Sequence, residues 1–262
     1  MKNFIALLAI VIFFSSCEKV IDVDLNSSDP QTVFEGNLAQ GADTLWFTMS
    51  QTADYFGSDE PPLVSGATID FTDADGQVLR AQAVGGGSYY VTGLDARTEA
   101  NYSVKIDLEG QITEAQSYLP AQVPLDSISF EYQPPNDFVD ASYLINVAFQ
   151  DPGDQTNYYQ IIVRINGNVE GDITVFDDRF NQGTYLEFPL FGYEIQAGDI
   201  VEVELRGIDE NVYEYYLTLA SILSQNGPPG IAPGNPTTNL KGDIQLGFFG
   251  TYSYSAIKDT AK

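Results

Sequence analysis

From Gln31 onward, apolar and polar residues alternate in short runs. QTVFEGNL, DTLWFTMSQ, ATIDFTD, QVLRAQAV, GSYYVTGL, NYSVKIDLEG and QITEAQSYLP are seven such stretches, rich in β-branched and aromatic residues and separated by turn formers. A period of two sends successive side chains to opposite faces, so each stretch predicts a half-buried strand. Seven strands at this spacing predict an immunoglobulin-like β-sandwich over residues 30–120. The turn chemistry agrees: DADG, Asp73 to Gly76, and GGG, Gly85 to Gly87, supply glycine where hairpins need a positive φ.

LPAQVPLD, with Pro120 and Pro124, then reads as a stiff domain boundary. Alternation resumes in DSISFEYQ, SYLINVAFQ, NYYQIIVRI and DIVEVELRGI, which predicts a second β domain over residues 125–262. NGN, Asn166 to Asn168, marks a turn after the third of these. The period changes in DENVYEYYLTLASILSQNG, where Tyr213, Tyr216, Leu217, Ala220 and Leu223 recur at helical spacing. Asp209 is the expected N-cap of a helix near residues 210–225, Glu210 suits its positive end, and Asn226 and Gly227 are its stop. The aromatic stripe is expected to pack on the second sheet. GPPGIAPGNPTTN follows as a surface loop, because its prolines bar both helix and central strand. Their stiffness makes Pro228, Pro229, Ile231 and Pro233 the candidate partner-binding residues. KGDIQLGFFGTYSYSAI is expected to close the fold as a strand pair.

The N-terminus follows another pattern. MKNFIALLAIVIFFSSC places Lys2 ahead of eleven consecutive apolar residues, Phe4 to Phe14, then two serines and the only cysteine. The run is shorter than the ~18 residues of a permanent span. Residues 1–16 therefore read as a lipoprotein signal peptide, Cys17 as the lipidation site and residues 17–29 as an acidic tether. More than one acyl chain on Cys17 gives a stable membrane anchor.

Composition removes function classes. A net charge of −26, from 37 acidic and 11 basic residues, repels phosphate backbones and excludes nucleic-acid binding. With no histidine, Ser-His-Asp and Cys-His catalysis and histidine-ligated zinc are excluded. Once Cys17 is lipidated no disulfide remains, so the fold must rest on packing. Carboxylate-only glycan hydrolysis survives, but thirty-seven acids nominate no pair. TDADGQ lacks the remaining ligands of a calcium loop and reads as a hairpin turn, and GGGSYY lacks the lysine and helix of a phosphate loop. Trp46 and the many tyrosines are weighed as a sugar-stacking platform, against the more ordinary role of core and cross-strand pairs. Asp177 and Asp178 read as a solvated loop. No metal and no cofactor are expected.

CEKVIDVDL, VFEGNL, PLVSGATIDFTDADG, GSYYVTGL, DPGDQTNYYQIIV, YEYYLTLASI and GNPTTNLKGDIQLGFFGTYS, in this order, resemble the bacterial lipoproteins of the domain of unknown function 4249 family. The resemblance implies an outer-membrane lipoprotein of Bacteroidetes type, associated with a TonB-dependent transporter, and brings no catalytic residues. Glu18, Asp22 and Asp24 are compatible with surface display. The expectation is thus a non-enzymatic binding or accessory module; the alternatives are an adhesion or structural envelope protein, or a carboxylate-based glycan hydrolase.

Overall fold

The structure is a computed structural model that describes residues 30–53, 60–135, 140–224 and 234–262. The first half forms β1 (Thr32–Ala39), β2 (Thr44–Gln51), β3 (Thr68–Thr72), β4 (Val78–Arg80), β5 (Gln82–Gly85), β6 (Ser88–Thr92), β7 (Ala100–Leu108) and β8 (Gln111–Leu119). The second forms β9 (Ser127–Gln133), β10 (Ser142–Gln150), β11 (Tyr158–Ile165), β12 (Asn168–Asp177), β13 (Tyr185–Leu190), β14 (Ile200–Ile208), helix α1 (Glu210–Leu223), β15 (Lys241–Gly242) and β16 (Leu246–Thr260).

One eight-stranded sheet, ordered β12-β11-β14-β16-β1-β2-β6-β5, runs through both halves. At one end β15-β8-β7-β3-β4 covers it, and at the other β13-β10-β9. Each pairing encloses its own core. Phe34, Phe47, Ile69, Phe71, Tyr102 and Ile106 fill the first. Ile145, Val147, Phe149, Tyr159, Val203 and Leu205 fill the second. The protein is therefore mainly β, built as two sandwiches. The hairpin turns form where expected, with the Asp73 carboxylate accepting from the backbone of Asp75 at 2.9 Å and of Gln77 at 2.8 Å.

The division at residues 120 and 125 needs correction. The final stretch returns to the first sandwich: Leu240, Ile244 and Phe249 belong to its core, and β15 pairs with β8. The expected closing strand pair does not form, since β15 and β16 lie in different sheets. Instead β16 runs parallel to β1 from Leu246 to Tyr252, then antiparallel to β14 from Tyr252 to Thr260. One strand serves both sandwiches.

The inward face of β16 records the crossing. Phe249 lies in the first core and Ile257 packs against the second. Between them Thr251 meets β8, its hydroxyl 3.0 Å from that of Ser117, while Ser253 and Ser255 meet the connector: Ser253 donates to the Ala121 carbonyl at 3.1 Å, and Ser255 accepts from the Leu125 amide at 2.9 Å. Buried backbone groups need such partners. Pro120, Val123 and Leu125 are themselves buried, so the connector is fastened to both bodies rather than serving as a free spacer.

QVLRAQAV, read as one strand, divides at Ala81. β4 pairs with β3 in one sheet and β5 with β6 in the other, and the Ala81 amide holds the crossing by donating to the Ile69 carbonyl at 2.8 Å. Helix α1 begins as expected. Asp209 caps it by accepting from the Val212 amide at 2.9 Å, and also accepts from the Ser117 hydroxyl and, at 2.9 Å, the Tyr118 amide, which ties the helix to β8. Burial raises the Asp209 carboxyl pKa, against these hydrogen bonds. The buried stripe is rotated from expectation: Val212, Tyr213 and Tyr215 are buried, whereas Leu217 and Leu223 are exposed. Tyr215 stacks on Phe248 of β16 at 4.3 Å and Tyr213 meets Tyr158 of β11 at 5.0 Å, so the sheet's aromatic partners set the helix's rotation.

Candidate functional site

In the second sandwich the three-stranded sheet β13-β10-β9 faces the end of the large sheet whose edge strand is β12. An open cleft of about 560 Å³ lies between β12, with Thr174 and Phe176, and β13, with Leu186, Phe188 and Leu190. Its floor is an aromatic cluster: Phe176 meets Phe188 edge-on at 5.4 Å and Tyr159 at 5.2 Å, while Phe149 packs on Tyr159 at 5.2 Å. Tyr193 closes one wall, its phenol pKa raised by burial against a hydrogen bond with Thr174. Phe191, 75% exposed, stands at the rim. Neither β12 nor β13 was foreseen as a strand, because NVEGDITVFD carries Gly171 and Asp172 in its middle and YLEFPL contains a proline.

The loop after β12 carries Phe180 outward, 95% exposed, and Asn181 onto the cleft. Two buried carboxyls hold its base. Asp151 accepts from the Tyr159 hydroxyl at 2.5 Å and from the Gly183 amide at 2.9 Å. Asp178, with no exposed surface, lies beside it; the Asn157 amide, turned to donate, reaches its Oδ2 at 3.3 Å, while its Oδ1 has no hydrogen-bond partner. The solvated loop expected of Asp177 and Asp178 is thus corrected: Asp178 is interior, and Asp177 pairs with Arg179 at 2.7 Å and accepts from Tyr213 at 3.1 Å. Arg179 lowers the Asp177 pKa.

Burial first, then the charge of and hydrogen bond to Asp151, push the Asp178 pKa above its ordinary value, against a hydrogen bond from the Asn157 backbone. The folded chain therefore binds that proton more tightly than the unfolded chain. Between the two pKa values the native state holds more protons, so this group's contribution to stability falls as pH rises through the raised value. An amide at this position would need no proton to donate to Asp151. Asp178→Asn is accordingly expected to melt above wild type at pH ~8, with the advantage shrinking as pH falls through the raised pKa. Thermal melts across pH check it; a variant less stable than wild type at every pH contradicts it.

A second concavity of about 840 Å³ lies where the outer face of β7 and β8 meets the start of α1. Lys105, Glu114, Gln116, Asn211 and Lys241 line it, and Lys105 already pairs with Glu114 at 3.6 Å. Its mixed charges point to no one class of ligand. Among the described residues no group of three or more His, Cys, Asp or Glu side chains is placed to hold a metal ion.

Trp46 is an exposed cross-strand partner of Tyr90 rather than a core residue. Cys17, Pro228, Pro229, Ile231 and Pro233 lie outside the described residues.

Compared with known families, residues 18–258 match the one described as "Domain of unknown function (DUF4249)". The chain belongs to this family. No curated protein matches this DUF4249 chain significantly. Among solved structures it is similar to a two-domain fibronectin type-III segment of chicken tenascin, at 15% identity and TM-score 0.21, over 69% of this chain and 86% of that one. A DUF4785 family protein from Legionella pneumophila is similar at 16% identity and TM-score 0.26, over 67% of this chain and 50% of that one. For the native conformation of E. coli alpha-2-macroglobulin the values are 12% and 0.24, over 70% of this chain and 13% of that one.

Proposed function

We propose that this DUF4249 protein is a non-enzymatic binding or accessory module, tethered to the outer membrane through lipid on Cys17 and serving a TonB-dependent transporter. The supporting observation is the aromatic cleft at the edge of the second sandwich, with Phe191 exposed at its rim and Phe180 exposed on the adjoining loop. Large exposed aromatics cost solubility unless a partner covers them, and aromatic residues are enriched in interface cores. Asp151 and Asp178, the carboxyl pair buried together, are occupied in anchoring the adjoining loop, which fits a scaffold for recognition better than a hydrolase.

Purification of the tagged full-length protein from native membranes in mild detergent tests both parts. Wild type is expected to bring down a TonB-dependent transporter, and Phe191→Ser with Phe180→Ser to lose it at unchanged melting temperature. Retention by the double variant removes the cleft from the interface. Capture of no transporter by wild type overturns the accessory role. Cys17→Ser is expected to leave an unprocessed or soluble chain, and its recovery as processed membrane protein argues against the lipid anchor.

A further inference from the structure

The first sandwich carries a different surface on the outer face of the shared sheet. Leu45 and Phe47 of β2 point into the core, as do Tyr89 and Val91 of β6, so Trp46 and Tyr90 point outward. They are directly paired across the strands, with ring centroids 5.2 Å apart and planes tilted by 34°. Trp46, the only tryptophan of the chain, is 56% exposed. The Tyr90 hydroxyl donates to Gln82 Oε1 at 2.9 Å, which orients the ring and leaves the Gln82 amide Nε2 free of that bond. The Thr44 and Thr92 hydroxyls lie 3.1 Å apart beside the pair, and Thr48 and Ser88 flank its other side.

The charge of this face departs from the rest of the molecule. In a chain of net charge −26, strands β1, β2, β5 and β6 contain no Lys or Arg and a single acid, Glu35. An anionic ligand finds no counter-charge there, and a cationic one finds only Glu35 at the side. A broad apolar protein partner finds two rings set among hydroxyls and amides. What the face does offer is aromatic surface for apolar C–H faces, ringed by neutral hydrogen-bonding groups on paired strands. That combination matches a pyranose ring, which has an apolar face and an equatorial girdle of hydroxyls.

We propose that Trp46 and Tyr90 form a binding subsite for a neutral carbohydrate, with Trp46 stacking on a sugar ring and Gln82, Thr44 and Thr48 hydrogen-bonding its hydroxyls. The subsite lies in the other sandwich from the aromatic cleft, and it stands whether or not the cleft binds a transporter. Because the chain has one tryptophan, its tryptophan emission, excited selectively over that of the sixteen tyrosines, reports this face. The full processed protein, in a detergent without a sugar headgroup, is titrated with cellohexaose, maltohexaose and mannohexaose, with an oligogalacturonate as the anionic control. The expected result is a saturable fluorescence change with at least one neutral oligosaccharide and none with the anionic one. Calorimetry on Trp46→Ala is expected to show affinity reduced at least about tenfold at unchanged melting temperature, with Trp46→Phe intermediate. No saturable response to any neutral oligosaccharide, binding of the anionic one only, or binding indifferent to Trp46→Ala each overturns the proposal.

Discussion

A chain ending at Asp126 is expected not to fold, although it contains all eight strands of the first half. It lacks Leu240, Ile244 and Phe249, which are at most 5% exposed and sit in the first core. Each such side chain contributes about 1.5–3 kcal/mol on burial, so together they approach the whole stability of a small domain, about 5–15 kcal/mol. The truncation also strips β1 of its parallel neighbour, turning a central strand that buries Phe34 and Leu38 into an edge. Circular dichroism and amide dispersion of residues 30–126 provide the measurement, with residues 30–262 as reference. A soluble fragment with a cooperative thermal transition would falsify the shared-strand account. The same architecture predicts that limited proteolysis spares residues 119–126, because Leu119, Pro120, Val123 and Leu125 are buried and the segment is bonded to β16.

Gly247→Ala is expected to destabilise the protein by about 2–6 kcal/mol, combining strain at positive φ with overpacking. Gly247 lies at the start of β16, opposite Phe34 of β1, with φ +92°. A Cβ there would overlap the Phe34 carbonyl oxygen and stand 2.8 Å from its carbon. Both belong to the backbone of a central strand, which cannot swing aside as a flexible side chain can. The clash falls on the β1–β16 pairing within the first sandwich, so the loss should fall on that sandwich first. Gly41→Ala is the control: its φ is +71°, but a Cβ there meets nothing within 4 Å, so only the conformational penalty of about 1 kcal/mol applies. Urea denaturation of the two variants reads the difference. Equal losses would mean that close approach at Gly247 is unimportant.

The candidate cleft was hidden in the sequence for a physical reason. Strand signals come from local alternation, and β12 is an edge strand whose first five residues are all exposed, so it needs no apolar alternation there. Asp178 misleads in a similar way. Aspartate is usually solvated, and only the approach of Asp151 and Asn157 from distant parts of the chain buries it. The Trp46 face was half legible: LWFTM by its period places Trp46 opposite Leu45 and Phe47, but its partnership with Tyr90 depends on the register of β2 with β6.

By itself, the sequence determined most of the local elements. Alternation marked the strands, glycine clusters the hairpins, and Asp209 the start of α1, because each depends on side-chain period, backbone freedom or a cap within a few residues. Tertiary structure alone decided how these elements join. The pattern of β16 states which side chains face inward, but not which strands lie on either side of it. Its Thr251, Ser253 and Ser255 would pass for surface positions until β8 and the connector supply their partners. That one strand closes two sandwiches follows from pairing with β1 and β14, over a hundred residues apart from each other in sequence. Backbone hydrogen bonds between strands are the same for every residue type but proline, so the partner is selected by the side chains packed on each face and by the connector's buried polar groups, which exist only once the chain has come together.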